Sequence, residues 1–188
     1  MSNICVYSAS SDDVAKVFYD SADALGVLMA EHGYTLVFGG GAIGLMGVMA
    51  RAVHRNGGKV IGVIPEFMMD WEVAYEKADE LIVTPDMRTR KHKMEEIADA
   101  FIGIPGGFGT LEEMLEVITL KQLQRHSKAV VFLNTASFYD PLSAAFEHMF
   151  REGFAKQIYR ELYYFASDPL DAIRHIRDYA PVVIERKV

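Results

Sequence analysis

A single cysteine, Cys5, stands among the 188 residues. It cannot close a disulfide within the chain, and its place in the apolar run Ile4-Cys5-Val6-Tyr7 predicts burial rather than nucleophilic chemistry. Nowhere does the sequence approach the roughly 20 uninterrupted apolar residues that a membrane span needs. The start, Met1-Ser2-Asn3, leads straight into that run with no basic region ahead of it, so a secretory leader is not expected and the expected location is cytoplasmic. Positive charge is scarce: 19 Lys and Arg against 26 Asp and Glu leave a net charge of -7 with His neutral. That balance excludes broad, sequence-independent attraction to nucleic acid but leaves room for a small basic pocket. The 6 histidines show neither HExxH nor any other compact ligand spacing, so no metal site is expected. These absences leave a small molecule as the expected partner, with no nucleic acid and no membrane.

What is present is an alternation. Short runs rich in Val, Ile, Leu, Phe and Tyr recur at residues 4–7, 35–38, 60–64, 81–84, 101–104, 130–133 and 163–166, separated by longer helical patterns. About seven strands alternating with helices predict a Rossmann-like, doubly wound α/β fold, a mostly parallel sheet covered on both faces. With about half its residues apolar, the chain is expected to form one domain over residues 1–188. Asp140-Pro141 and Asp168-Pro169 each place a capping residue ahead of a first-turn proline, and Gly33 and Gly153 stand where helices should stop. Leu111, Met114, Leu115 and Ile118 mark one helical face. Residues 65–79 form the least regular stretch, a loop or short-helix excursion.

Two glycine loops carry the chemistry. Gly39-Gly40-Gly41-Ala42-Ile43-Gly44 follows the second strand, and Pro105-Gly106-Gly107-Phe108-Gly109-Thr110 follows the fifth. A strand that turns through glycines into a helix leaves unpaired N–H groups at the positive end of the helix dipole, which is a seat for an anion. Gly39, Gly41 and Gly44 also fit Gly-x-Gly-x-x-Gly, with Glu66 after the next strand, so a dinucleotide site is a competing reading, as is a purely architectural turn. Leu45-Met46 stands where a nucleoside triphosphate loop has Lys-Ser or Lys-Thr, which disfavours ATP hydrolysis. Thr110-Leu111-Glu112-Glu113 is both a possible phosphate contact and a capping box, and spacing alone leaves these even. Arg88, Arg90, Lys91 and Lys93 form a basic run, but a helix cannot point all four side chains one way. Ser8, Ser10 and Ser11 precede Asp12-Asp13, where capping is the default role.

Pro105-Gly106-Gly107-Phe108-Gly109-Thr110-Leu111-Glu112-Glu113 resembles, without a gap, the Pro-Gly-Gly-x-Gly-Thr-x-x-Glu signature of the LOG family, the cytokinin riboside 5'-monophosphate phosphoribohydrolases, many of them labelled lysine decarboxylases. Gly39 to Gly47 is similar to the family's first glycine loop, and Met87-Arg88-Thr89-Arg90-Lys91 to its Met-x-x-Arg-Lys element. The resemblance implies hydrolysis of the N-glycosidic bond of a cytokinin or purine nucleoside 5'-monophosphate, releasing base and ribose 5-phosphate. It implies Arg90 and Glu113 as catalytic residues. It further implies Gly40, Gly41, Gly44, Glu72, Arg90, Lys91, Gly106, Gly107, Phe108, Gly109 and Thr110 as substrate-binding residues, no cofactor, and a homodimer. Two departures stand out: Ser8-Ala9 replaces the family's common Cys-Gly, and Leu120 stands where a tryptophan is frequent.

The chemistry explains those residue types. A ribosyl centre with oxocarbenium character needs negative charge nearby, a fixed phosphate and a positioned water. An arginine beside Glu113 is expected to lower that carboxyl's pKa and keep it ionised. A non-catalytic nucleotide carrier uses the same anion seats without turnover, whereas an NAD(P)-dependent oxidoreductase leaves the second glycine loop and Arg90-Lys91 unexplained. Lysine decarboxylation requires a pyridoxal phosphate lysine in a recognisable setting, for which the sequence offers no support.

Overall fold

The computed structural model describes residues 2–69 and 74–182. The candidate ligand residue Glu72 lies outside the described residues. Seven strands, β1 (Asn3–Tyr7), β2 (Thr35–Phe38), β3 (Val60–Pro65), β4 (Glu80–Thr84), β5 (Ala100–Gly103), β6 (Ala129–Leu133) and β7 (Tyr164–Ala166), form one sheet in the order β4-β3-β2-β1-β5-β6-β7. Every strand pairing in it is parallel. The expected runs thus all become strands, with ends shifted by a residue or so. Helices α1 (Lys16–Glu31), α2 (Gly44–Arg55), α3 (Met87–Ile97), α4 (Phe108–Gln122), α5 (Asp140–Arg151) and α6 (Pro169–Arg177) make the crossovers.

Strand periodicity splits the core in two. Ile4 and Val6 face one way, with Leu36, Phe38 and Ile102, and are covered by Leu25 and Met29 of α1, Met49 and Val53 of α2 and Ile173 of α6. Cys5 and Tyr7 face the other way with Val37, Phe101 and Phe132, beneath Met94 of α3, Met114 and Val117 of α4 and Phe146 of α5. Period-two alternation forces this division, because successive strand side chains leave opposite faces. Cys5 is fully buried, and desolvation pushes its thiol well above the ordinary range, so the thiolate a nucleophile needs is suppressed.

Gly33 (φ 72°) and Gly153 (φ 79°) end α1 and α5 in the left-handed region that favours glycine. Asp168 caps α6, its carboxylate accepting from the N–H of Asp171 at 2.9 Å. Asp140 does not cap α5. It is the first helical residue, Tyr139 holds the cap position, and the Asp140 carboxylate accepts from the Asn134 side-chain amide at 2.7 Å. The serines after β1 do not cap α1 either: that helix begins at Lys16 with Ala15 at its cap, while Ser11 Oγ accepts from the N–H of Asp13 at 3.3 Å.

Strand order reverses between β1 and β5, the neighbours from which the sheet grows outward in both directions. Ligands in open parallel sheets bind beyond the strand carboxyl ends at such a point. Three segments end there: residues 8–12 after β1, the first glycine loop after adjacent β2, and the second glycine loop after β5.

Candidate active site

Helix α4 starts earlier than its capping-box pattern predicts. Gly107 takes the cap position with φ -87° and ψ -157°, and Phe108 is the first helical residue. Thr110 is therefore already inside the first turn, and Glu113 lies too far along the helix to reach back to the cap N–H, which removes the capping-box reading. Thr110 is buried against Gly106, where an added Cβ would overlap Thr110 Oγ1. The buried face of α4 consists of Thr110, Glu113, Met114, Val117, Ile118 and Lys121, so two charged residues occupy positions an apolar stripe would fill. Leu115, expected on that face, is instead 41% exposed.

Glu113 meets Arg90. Helix α3 is capped by Asp86, whose carboxylate accepts from the N–H of Thr89 at 2.7 Å, and Arg90 and Met94 form its buried face. Arg90 and Glu113 are each 8% exposed, and Arg90 Nη1 donates to Glu113 Oε1 at 2.6 Å. Arg90 Nε donates to the Val63 carbonyl at 3.1 Å, which fixes the guanidinium against the end of β3. Gly39 completes the setting, because a Cβ there would overlap Arg90 Nη2. The first glycine loop thus approaches the guanidinium directly, and a buried arginine with two fixed partners has little rotational freedom left.

The Glu113 carboxyl is raised from its ordinary value, not lowered as the neighbouring arginine led us to expect. Burial disfavours the charged form by more than the charge and hydrogen bond of Arg90 favour it. A carboxylate stripped of water and held by one cation is a strong local source of negative potential.

The other basic residues of the run disperse, as helical geometry requires. Lys91 Nζ pairs with Glu116 at 2.6 Å and also with Glu112, tying α3 to α4 beside the buried pair. Lys93 pairs with Glu96 at 3.0 Å and Arg88 is exposed. Glu66 is exposed in a short turn, Glu66–Met68, after β3.

Gly106 and Gly107 line a crevice of about 210 Å³ together with Ala9, Ser11, Leu45 and the aromatic pair Phe18 and Phe138. A Cβ at Gly107 or Gly109 would meet nothing within 4 Å, so the start of α4 presents open backbone. Phe108 between them is 94% exposed. The loop's entry is fixed from below, where buried Tyr139 donates its hydroxyl to the Ile104 carbonyl at 2.8 Å. On the first loop, Gly40 (φ 80°) and Gly44 (φ 58°) adopt the left-handed region, and Gly41 bridges to Ala74. The Gly40 carbonyl accepts from the N–H of Tyr75 at 2.8 Å. His54 holds Tyr75 in turn, with Nδ1 2.9 Å from its hydroxyl and Nε2 3.0 Å from Asp79. Ser8 Oγ, at the head of β1, is buried with no hydrogen-bond partner among the described residues. Sequence patterns signalled neither the His54–Tyr75–Asp79 brace nor the Tyr139 strut, because each joins distant segments.

Open space at Gly109 permits a test with opposite signs. Inside a helical first turn, Gly109→Ala should raise stability by up to about 1 kcal/mol through helix propensity. If backbone there approaches a ligand, the same change should weaken AMP binding by about tenfold or more. Thermal melts beside calorimetric titration check both, and unchanged affinity in a stabilised protein would make the glycine architectural.

A parallel α/β sheet whose switch point gathers two glycine loops, with a buried Arg–Glu pair beside them, defines a Rossmann-like α/β protein with a candidate site at its carboxyl edge. The family model described as "Possible lysine decarboxylase" matches residues 46–176. The cytokinin riboside 5'-monophosphate phosphoribohydrolase LOG of Oryza sativa subsp. japonica is 43% identical over 178 residues, 95% of this chain and 74% of that protein. LOG3 of Arabidopsis thaliana, which carries the same enzyme name, is 40% identical over 178 residues, 95% of this chain and 83% of that one. The chain belongs to this LOG family of phosphoribohydrolases. Solved structures confirm the fold. The molybdenum cofactor carrier protein of Chlamydomonas reinhardtii superposes with a TM-score of 0.69 at 24% identity, covering 94% of this chain and 96% of that one. The molybdenum cofactor binding protein of Rippkaea orientalis gives 0.71 at 22%, covering 94% and 95%.

Proposed function

We propose that this protein hydrolyses the N-glycosidic bond of a purine or cytokinin nucleoside 5'-monophosphate, releasing the free base and ribose 5-phosphate. Family membership supports the reaction, and the buried 2.6 Å contact between Arg90 and Glu113 is the observation that supports its centre. The open N-terminus of α4 takes the phosphate, with N–H groups that no helical carbonyl can satisfy and the positive end of the dipole behind them. Glu113 stabilises positive charge as the C1'–N bond lengthens and orients the incoming water. Water oxygen bonds to C1' as the C1'–N bond breaks, the electron pair of that bond leaves with the base, one water proton ends on the base nitrogen and the other stays on the new C1' hydroxyl. Arg90 holds Glu113 in place and offers its remaining donors to ribose or phosphate oxygens.

Binding of the substrate falls to Gly40, Gly41 and Gly44 of the first loop, to Gly106, Gly107, Phe108, Gly109 and Thr110 of the second, and to Glu72. Lys91, bound to Glu112 and Glu116, contributes by fixing α3 against α4. The chain acts as one domain in the cytoplasm and as a homodimer. Exposed apolar side chains on the two helices that carry the pair, Met87 on α3 and Phe108 and Leu115 on α4, favour association there.

Incubation of the purified protein with AMP, isopentenyladenosine monophosphate and adenosine, without added metal or cofactor, tests the activity. Free base is expected from both nucleotides and not from adenosine. Equal turnover of adenosine would remove the phosphate seat from the scheme, and tight retention of AMP with no adenine released would make the protein a carrier.

A further inference from the structure

A cavity of about 470 Å³ opens at the amino ends of β6 and β7, the edge of the sheet opposite the glycine loops. Helix α4 runs down to it and brings Lys121, its penultimate residue, into the wall. Lys121 is 4% exposed and takes no part in the proposed reaction. Its Nζ donates to the Leu162 carbonyl at 2.8 Å and stands 4.8 Å from the centre of the Tyr179 ring. An ammonium carries three donors, so two remain for a further acceptor. Burial alone shifts its pKa, lowering it to about 8, with no carboxylate among the described residues to hold the charge in place. A buried ammonium without a counter-ion is costly, and an anion that reaches it offsets that cost.

The other charged groups facing the cavity do not supply the missing partner. Asp171 on α6 accepts from the Ser167 N–H at 2.9 Å and from the Tyr164 hydroxyl at 3.2 Å. Asp178 pairs with Arg177 at 2.7 Å, and Glu161 is exposed. Of the cations, Arg160 is bound to Glu147, its Nε donating at 2.8 Å, and Arg174 stands exposed at the rim. One buried positive charge is therefore left over, which suits a monoanion better than a phosphate dianion. The remaining wall is aromatic. Tyr164 and His175 stack at 4.1 Å with their planes 2° apart, and His175 lies 5.8 Å from Tyr179. The Tyr179 hydroxyl is buried without a well-formed hydrogen bond among the described residues, although the Val182 N–H lies close enough to pull its pKa down against the rise that burial causes.

We propose that this cavity is a second binding site, for a small planar monocarboxylate whose carboxylate pairs with Lys121 Nζ and whose apolar body lies among Tyr164, His175 and Tyr179. Two carboxylate oxygens match the two free donors of the ammonium, and flat rings favour a flat ligand. The site shares no residue with the glycine loops and does not depend on the reaction proposed there.

Calorimetric titration of the full chain with benzoate, its neutral counterpart benzamide and inorganic phosphate, with and without saturating AMP, tests it. Benzoate should bind with a Kd of about 1 mM or tighter, and benzamide and phosphate about tenfold more weakly or worse. Lys121→Met keeps the length of the side chain and removes the charge. Once thermal melts show it folded, it should lose about tenfold in affinity for benzoate and keep its affinity for benzamide. Benzoate should also move the Lys121 pKa upward from about 8 by roughly 1 pH unit, followed by NMR of its ε-methylene, because a nearby anion favours the ammonium. That measurement stands by itself if Lys121→Met does not fold. Saturating AMP should leave benzoate binding unchanged. Displacement of benzoate by AMP would put it at the glycine loops and overturn the second site. Equal benzoate affinity in wild type and Lys121→Met, an unmoved Lys121 pKa, phosphate binding tighter than benzoate, or a wild type that does not bind benzoate would each overturn it as well. None of these results bears on whether AMP is hydrolysed.

Discussion

Glu113→Gln is expected to melt as a folded protein and to lose roughly 10²-fold or more in single-turnover base release from AMP, the scale of losing a preorganised electrostatic group. The substitution keeps size and leaves an amide oxygen able to accept from Arg90 Nη1, which Glu113 Oε1 now does at 2.6 Å. It removes the charge, so the Arg90 cation stays buried without its counter-ion. Stability should fall by about 1–3 kcal/mol on that account, and release must be measured below the lowered melt. Arg90→Ala should slow release comparably, because it strips the carboxylate of its only side-chain hydrogen bond among the described residues and unlocks its orientation. The double variant should lose less than the two single losses combined, as for residues that act as a unit. Near-wild-type release by Glu113→Gln would end its assignment as the catalytic carboxylate.

Gly39→Ala should damage activity almost as much, although Gly39 carries no side chain to do chemistry. An added Cβ would overlap Arg90 Nη2 and stand 3.1 Å from Met46 Sδ. The guanidinium has no room to yield while it also binds the Val63 carbonyl and Glu113, so it must leave one of them. Misplacement by about 1 Å costs on the order of 10²-fold in enzymes that work by positioning, and a fall of that size in kcat/KM is expected. Overpacking should lower stability by about 1–3 kcal/mol. Steady-state kinetics with AMP beside thermal melts separates the two effects. Wild-type kcat/KM in Gly39→Ala would show that the position of Arg90 does not govern the reaction.

Much of this protein was legible before folding because its inner strands, β1, β2, β3, β5 and β6, are buried on both faces. A parallel strand between two helical layers is apolar along almost its whole length, whereas the edge strands β4 and β7 are less buried and stood out by their β-branched and aromatic residues. The ends of α1 and α5 were legible at Gly33 and Gly153, where the chain takes a positive φ. The start of α4 was ambiguous. Thr110 and Glu113 satisfy a capping-box spacing, but Gly107 provides the cap conformation earlier and the helix has begun before Thr110 is reached. Leu115 was misassigned for a related reason: the face of α4 turned to the sheet is chosen by where Glu113 and Lys121 find partners, in Arg90 and in the Leu162 carbonyl 2.8 Å from Lys121 Nζ.

From its sequence alone this chain determined the doubly wound architecture, the two glycine turns and the Arg-Lys and Glu elements of its family, because these depend on composition, periodicity and contiguous motifs. Tertiary structure decided the partnerships. Arg90 and Glu113 are 23 residues apart, on different helices, and only their crossing over the sheet brings them to 2.6 Å. Asp12 and Gly44 are 32 residues apart, and the hydrogen bond from the Gly44 N–H to Asp12 Oδ1 follows from the packing of the loop after β1 upon α2. A local pattern states which backbone groups a segment leaves unpaired, but which side chain arrives to pair them depends on distant parts of the chain, and that is settled only when the sheet closes its order and the helices dock.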